Sequence, residues 1–132
     1  MKSIDLACII DDDPIYLFGI QKMMKVAELC RGFLIYHNGL EAFNALKPML
    51  EDDKNFPEII LLDLNMPIMD GWQFLDKITR IPTQKKVTIY IISSSIDPVD
   101  MDRAKRYSVV SSYIIKPVKM GDLKNIFSEL VD

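Results

Sequence analysis

Apolar runs of β character alternate with segments of helical period along the whole chain. The runs are Leu6–Ile10, Phe33–Tyr36, Glu58–Leu62, Val87–Ile92 and Ser112–Ile115, rich in the branched and aromatic residues that favour strands. Three of them, Leu-Ala-Cys-Ile-Ile, Ile-Ile-Leu-Leu and Val-Thr-Ile-Tyr-Ile-Ile, lack a clean alternation, as strands buried on both faces do. Leu40, Phe43, Leu46 and Leu50 recur at spacings of three and four, as do Met120, Leu123, Phe127 and Leu130, and each set predicts one apolar helix face. Pro14 suits a first helical turn whose free amides Asp12 or Asp13 can cap, so the first helix is expected from about Pro14 to Glu28. Asp70-Gly71 opens a third helix through about Ile78, and Asp97-Pro98 a fourth through about Tyr107. The order βαβαβαβαβα predicts a doubly wound α/β fold with five parallel strands and right-handed crossovers.

In such sheets function collects at the carboxyl ends of the strands, beside the point where strand order reverses. The polar residues obey this rule. Asp11, Asp12 and Asp13 follow the first strand, Asp63 the third, Ser93, Ser94 and Ser95 the fourth, and Lys116 the fifth. In a flavodoxin-like order of 2-1-3-4-5, strands 1 and 3 are neighbours, so Asp11 and Asp12 lie beside Asp63 across about 4.8 Å of strand spacing. Carboxylates that close either rise in pKa or bind a hard cation, and Mg²⁺ suits a site that must also leave room for a phosphoryl oxygen. Ser93 offers a hydroxyl, and Lys116, roughly 10 Å from the third strand before its side chain reaches back, offers a mobile positive charge. A metal on one side and a lysine on the other would neutralise a phosphoryl group on Asp63, a carboxylate being an established covalent nucleophile.

Composition narrows the classes. A chain of 132 residues fits one domain, since about 100–150 residues is the commonest domain size, and a single domain over 1–132 with no second domain beside it is expected. With 49% hydrophobic and 27% charged residues it is globular. A net charge of −3 and scattered basic residues, the best cluster being Lys85-Lys86, argue against nucleic-acid binding. The start, Met-Lys-Ser-Ile-Asp, lacks a signal-peptide pattern, and no apolar run approaches the roughly 18–20 residues of a membrane span. Cys8 and Cys30 stand outside any metal or redox spacing. A soluble, cytoplasmic protein with reduced cysteines is expected.

Four segments, each ending a predicted strand, carry a resemblance: Ala7-Cys-Ile-Ile-Asp-Asp-Asp-Pro14, Ile59-Ile-Leu-Leu-Asp-Leu-Asn-Met-Pro-Ile-Met-Asp-Gly71, Ile91-Ile-Ser-Ser-Ser95 and Tyr113-Ile-Ile-Lys-Pro117. In that order they resemble the CheY-like response regulator receiver family over essentially the whole chain. The resemblance implies that Asp63 is the phosphoacceptor and that Asp11, Asp12, Asp63 and the backbone carbonyl of Asn65 hold Mg²⁺. It further implies Ser93 as the switch hydroxyl, Lys116 as the phosphate-binding lysine, Tyr113 as the aromatic that changes rotamer, and Ser94 as a small residue leaving access to the aspartate. Asn65 and Ser95 occupy positions that influence phosphate loss. A cis peptide before Pro117 is implied, as is a loop shaped by Met66-Pro67 and Gly71, with Gly71 supplying a backbone conformation closed to other residues. The departures are Ser93 in place of the commoner threonine, a segment Arg106–Ser111 without the usual glycine and alanine, and a long Lys47–Pro57 stretch containing Glu51-Asp52-Asp53-Lys54. That stretch resembles stand-alone receivers associated with phytochrome-type and other hybrid kinases.

The implied function is a switch in a two-component phosphorelay. A sensor histidine kinase or phosphotransfer protein supplies the phosphoryl group, and the face made by the fourth helix, fifth strand and last helix changes its affinity for a downstream protein. The protein is then a signalling phosphoacceptor, not a turnover enzyme, and a monomer or weak dimer. A phosphate sink, or relay intermediate without a direct effector, is the nearest alternative. A metal-dependent aspartyl-phosphate phosphohydrolase is the rival from another class, disfavoured because Asn65 stands where such enzymes carry a second aspartate. Plainer roles are expected elsewhere: Asp13 as helix cap or metal-site member, His37 as a loop residue, Trp72 packed or at the surface of the third helix, and Tyr107 and Met101 in the core or on a partner surface.

Overall fold

A computed structural model describes residues 4–52 and 55–131. Strands β1 (Ile4–Ile10), β2 (Cys30–Tyr36), β3 (Ile59–Leu62), β4 (Ile89–Ser93) and β5 (Val110–Ile115) alternate with α1 (Pro14–Val26), α2 (Gly39–Glu51), α3 (Gly71–Ile78), α4 (Pro98–Ala104) and α5 (Met120–Val131). The strands form one parallel sheet in the order β2-β1-β3-β4-β5, the doubly wound arrangement expected.

The unbroken apolar runs resolve into two faces once the pleat separates them. Cys8, Ile10, Ile60, Leu62, Ile89 and Ile91 join Leu46, Phe74 and Leu75 of α2 and α3 in one core. Ala7, Ile9, Ile59, Leu61, Tyr90 and Ile92 join Leu17, Ile20, Leu123 and Phe127 of α1 and α5 in the other. Central β3 is buried throughout, whereas the edge strands β2 and β5 are only partly covered. Every central strand therefore ends against two apolar layers. The buried carboxylates, Asp11 and Asp63, lie just beyond the carboxyl ends of β1 and β3.

Helix starts follow the sequence closely and helix ends less so. Asp13 caps α1, accepting from the Ile15 amide at 3.0 Å, and Asp70 with Gln73 forms a capping box on α3. α1 stops at Val26, where the Glu28 amide reaches the Lys25 carbonyl and the Leu29 amide the Met24 carbonyl, with Glu28 in the left-handed region at φ 52°. The buried face of α2 is Gly39, Ala42, Leu46 and Leu50, so Leu40, expected inside, lies on the exposed flank and Phe43 is only half-buried. α4 ends at Ala104, short of Tyr107. The Tyr107 hydroxyl instead donates to Asp76 of α3, its ring stacks on buried Trp72 at 6.0 Å, and the Arg103 guanidinium covers Trp72 at 4.5 Å. Trp72 thus packs, and Tyr107 fastens the segment after α4 to α3. In the unusual Arg106–Ser111 turn the pairing passes from Ile89–Val110 to Tyr90–Ser112, skipping Ser111. Of the long acidic stretch after α2, Asp53 and Lys54 lie outside the described residues.

Lys116-Pro117 is cis, as the resemblance implied. Gly71 is a correction: none of the described glycines has a positive φ, and the left-handed residue of this loop is Ile68, at φ 71°. Glycine is needed at 71 for space. An added Cβ would sit 2.5 Å from the Asp63 carbonyl oxygen and 2.9 Å from the Leu64 Cα, both backbone atoms at the head of the loop. Gly71→Ala is accordingly expected to lower stability in urea by about 2–3 kcal/mol. Gly19→Ala, in α1 with nothing within 4 Å of the added carbon, should raise it by about 0.5–1 kcal/mol. Equal effects of the two substitutions would contradict the close-approach explanation.

Candidate functional site

The backbone brings the polar strand ends together by continuing the sheet's hydrogen bonding one residue past each strand. The Asp11 amide donates to the Tyr36 carbonyl at 3.0 Å, Asp63 to Ile10 at 2.9 Å, and Lys116 to Ser93 at 2.9 Å. Side chains at these positions must share one small volume at the carboxyl edge. Asp11 and Asp63 are buried there, 1% and 7% exposed, Ser93 is fully enclosed, and Asp12 is open to solvent. One carboxylate oxygen from each of Asp11, Asp12 and Asp63 lies within 4.8 Å of the others.

Burial of carboxylates is costly unless they are paired. Lys116 supplies the local compensation, its Nζ 2.8 Å from Asp11 Oδ2 and 3.8 Å from Asp63 Oδ2. The expected placement of this lysine is thus met in part: it reaches the site, but its close partner is Asp11. Among the described residues Asp63 keeps only the Leu64 amide, donating to Oδ1 at 2.9 Å, and the more distant ammonium. Desolvation first, and the Asp11 charge second, push its carboxyl up to about 6, against the opposing pull of Lys116 and the Leu64 amide. Three carboxylate oxygens, one of them from the under-compensated Asp63, are a donor set that fits a hard divalent cation.

The fourth strand contributes a second layer. The Ser95 amide donates to Ser93 Oγ at 3.1 Å, and among the described residues the Ser93 proton has no acceptor. Ser95 Oγ donates to Asp100 Oδ2 of α4 at 2.7 Å and accepts from the Asp97 amide at 3.3 Å. The half-buried Tyr113 donates its hydroxyl to the Ser95 carbonyl at 2.8 Å. Ser93, the loop, α4 and Tyr113 of β5 are thereby one hydrogen-bonded unit. Ser94 and Asn65 are exposed at the rim. Asp13 is committed to capping α1, and exposed His37 pairs with Glu41 at 3.4 Å on the first turn of α2.

Two participants were not singled out in the sequence. Asp100 could not be assigned because its link to Ser95 depends on how the loop folds. Tyr16 lies on the first turn of α1, three residues after the Asp13 cap, and places its ring 4.2 Å from Lys116 Nζ. Burial, with Asp11 and Asp63 adding to it, pushes its phenol far above the usual range, so the ring stays neutral. A tyrosine one turn beyond an acidic run is the only sequence signal of that contact.

The sequence matches the response regulator receiver domain family over residues 7–128. It is 32% identical over 94 residues to the probable methanogenesis regulatory protein FilR2 of Methanothrix harundinacea, covering 70% of this chain and 59% of that protein. The chain spans as little as 17% of the plant two-component response regulators it also matches. A two-component response regulator from Cytophaga hutchinsonii has the same fold, with a TM-score of 0.87 and 28% identity over 98% of both chains. The phosphorylated cyanobacterial phytochrome response regulator RcpA is similar too, with a TM-score of 0.78 and 26% identity over 97% of this chain and 91% of that one. The four segments, the strand order and the carboxyl-edge cluster agree with this match: the chain belongs to the response regulator receiver domain family.

Proposed function

We propose that this chain is a phosphoacceptor switch of a two-component phosphorelay, taking a phosphoryl group from a histidine kinase or phosphotransfer protein onto Asp63. The observation that carries the reading is the convergence of buried Asp63 with Asp11, Asp12, Lys116 and Ser93 at one edge of the sheet. The phosphorylated state of RcpA supports it by similarity.

In the transfer, an Asp63 carboxylate oxygen forms a bond to phosphorus while the phosphorus–nitrogen bond of a phosphohistidine breaks, and the imidazole nitrogen keeps that electron pair. The Leu64 amide holds Oδ1 of the nucleophile in place. Mg²⁺ bound by Asp11, Asp12, Asp63 and the Asn65 carbonyl would supply positive charge to the phosphoryl oxygens. Lys116 turns from Asp11 to a phosphoryl oxygen, a short move because Asp63 Oδ2 is already 3.8 Å away. Ser93 donates its free proton to another phosphoryl oxygen while still accepting from Ser95. Ser94 at the rim leaves the approach to Asp63 open.

Any shift of Ser93 is felt by Ser95, and through it by Asp100 of α4 and Tyr113 of β5. With Ser93 drawn to a phosphoryl group on Asp63, this hydrogen-bonded chain carries the change to α4 and β5 of the α4-β5-α5 face, on which Tyr113 is the aromatic expected to change rotamer. Exposed Val99 and Ile115 there, 69% and 42% accessible, suit a downstream protein partner. Asn65 offers no carboxyl to serve as acid and base two residues after the nucleophile, which favours a held phosphoryl group over rapid hydrolytic turnover.

Incubation with Mg²⁺ and acetyl phosphate should add the mass of one phosphoryl group, as an acid-stable and base-labile adduct that is absent in Asp63→Asn. An unmodified wild type, or an equal adduct on the variant, would sink the assignment. A second outcome concerns stability. Asp63 titrates at about 6 in the folded chain, above the ordinary value of about 3.9 that holds when unfolded. A raised carboxyl contributes stability that is present at low pH and lost as pH rises through its folded pKa. In metal-free buffer near pH 7.5, Asp63→Asn should therefore exceed the wild type by about 1–3 kcal/mol in urea, the gain disappearing below about pH 4. A variant no more stable than wild type at the higher pH would contradict the charge burial described.

A further inference from the structure

We propose that Tyr16 is the positioning residue for Lys116: its ring holds the ammonium beside Asp63 while the ammonium exchanges Asp11 for a phosphoryl oxygen. This rests on the reading of Asp63 as the phosphoacceptor and adds a residue to its machinery.

The Lys116 side chain is 19% exposed, so its ammonium has little access to bulk water. Three groups surround it: Asp11 Oδ2 at 2.8 Å, Asp63 Oδ2 at 3.8 Å and the Tyr16 ring at 4.2 Å to the centroid. The carboxylate contact at 2.8 Å is short and directional, and alone it would tie the lysine to the metal side of the site. A ring face attracts a cation through its quadrupole over a broad area, and the attraction is stronger where water is excluded. It tolerates a move of the ammonium towards Asp63, whose Oδ2 lies about 1 Å farther from Nζ than that of Asp11. An aliphatic side chain at position 16 would leave the ammonium with Asp11 or with solvent.

The ring is held for this task. Tyr16 sits in the first turn of α1, whose orientation is set by Asp13, which accepts from the Ile15 and Tyr16 amides at 3.0 and 3.4 Å. The same acidic run therefore places Asp11 and Asp12 in the site and Tyr16 above Lys116. Because the phenol stays neutral beside two carboxylates, it adds no further anion to compete with a phosphoryl group. The hydroxyl has no part in this role. The distinction makes the idea testable.

The experiment uses the full chain with Tyr16→Phe, which keeps the ring, and Tyr16→Leu, which removes it. Tyr16→Met serves as a second ring-free variant should leucine fail to fold. Two readouts are taken: the NMR shift of the Lys116 ε-methylene protons without phosphodonor, and the rate of adduct formation with Mg²⁺ at saturating acetyl phosphate. Wild type and Tyr16→Phe should share a ring-current upfield shift and react at rates within about twofold, whereas the ring-free variants lose the shift and slow about five- to tenfold. Normal rates in the ring-free variants, or a Tyr16→Phe rate as low as theirs, would overturn the proposal while leaving Asp63 as acceptor. No adduct on the wild type would overturn the acceptor reading and this proposal with it.

Discussion

Parallel strands must all end on the same side of their sheet, and in this chain that side receives two buried carboxylates with one ammonium between them. Asp11 and Asp63 cannot move apart, because their amides are bonded to the neighbouring strands and the strands are clamped by apolar layers above and below. Nor can they be hydrated fully. Lys116 relieves Asp11 at 2.8 Å but stands 3.8 Å from Asp63, so the second carboxylate carries a charge its surroundings only partly offset. The fold holds in place an electrostatic deficit that a bound cation can relieve.

The same constraint explains the neighbouring structure. The Asp63–Gly71 loop closes tightly enough that position 71 has no room for a Cβ, and this fixes the Leu64 amide against Asp63. On the other side, the Ser93–Ser95–Asp100 chain ties the site to α4, a helix whose only buried residue is Ala104. Such a lightly packed element is suited to respond when its anchoring hydrogen bonds change. The Trp72, Arg103 and Tyr107 stack holds the far end of α4 to α3.

Much of this was legible in the sequence, for physical reasons. Runs such as Ile59–Leu62 admit little but a strand buried on both faces, and Asp70-Gly71 and Asp97-Pro98 carry their own capping chemistry, so helix starts agreed with expectation. Helix ends and α2's buried face depend on tertiary packing: Tyr107 looked helical but is drawn to Asp76, and Leu40 fitted the period but lies on the wrong flank. The site's residues could be named because each follows a strand. Their pairing could not, since whether Lys116 meets Asp11 or Asp63 is decided by side-chain reach. Tyr16 and Asp100 were hidden for the same reason, as their contacts are made across elements. Gly71 was expected for its backbone angle and is required for its missing side chain, a difference that only the approach of Asp63 and Leu64 reveals.

The under-compensated charge on Asp63 is the centre of the account, and its titration measures that charge directly. Carbon-detected NMR of the Asp63 side-chain carboxyl in metal-free buffer should give a midpoint near 6, and saturating Mg²⁺ should move it to below about 4 by favouring the charged form. A midpoint at the ordinary value of about 3.9 in the metal-free protein, or one that Mg²⁺ leaves unmoved, would contradict it.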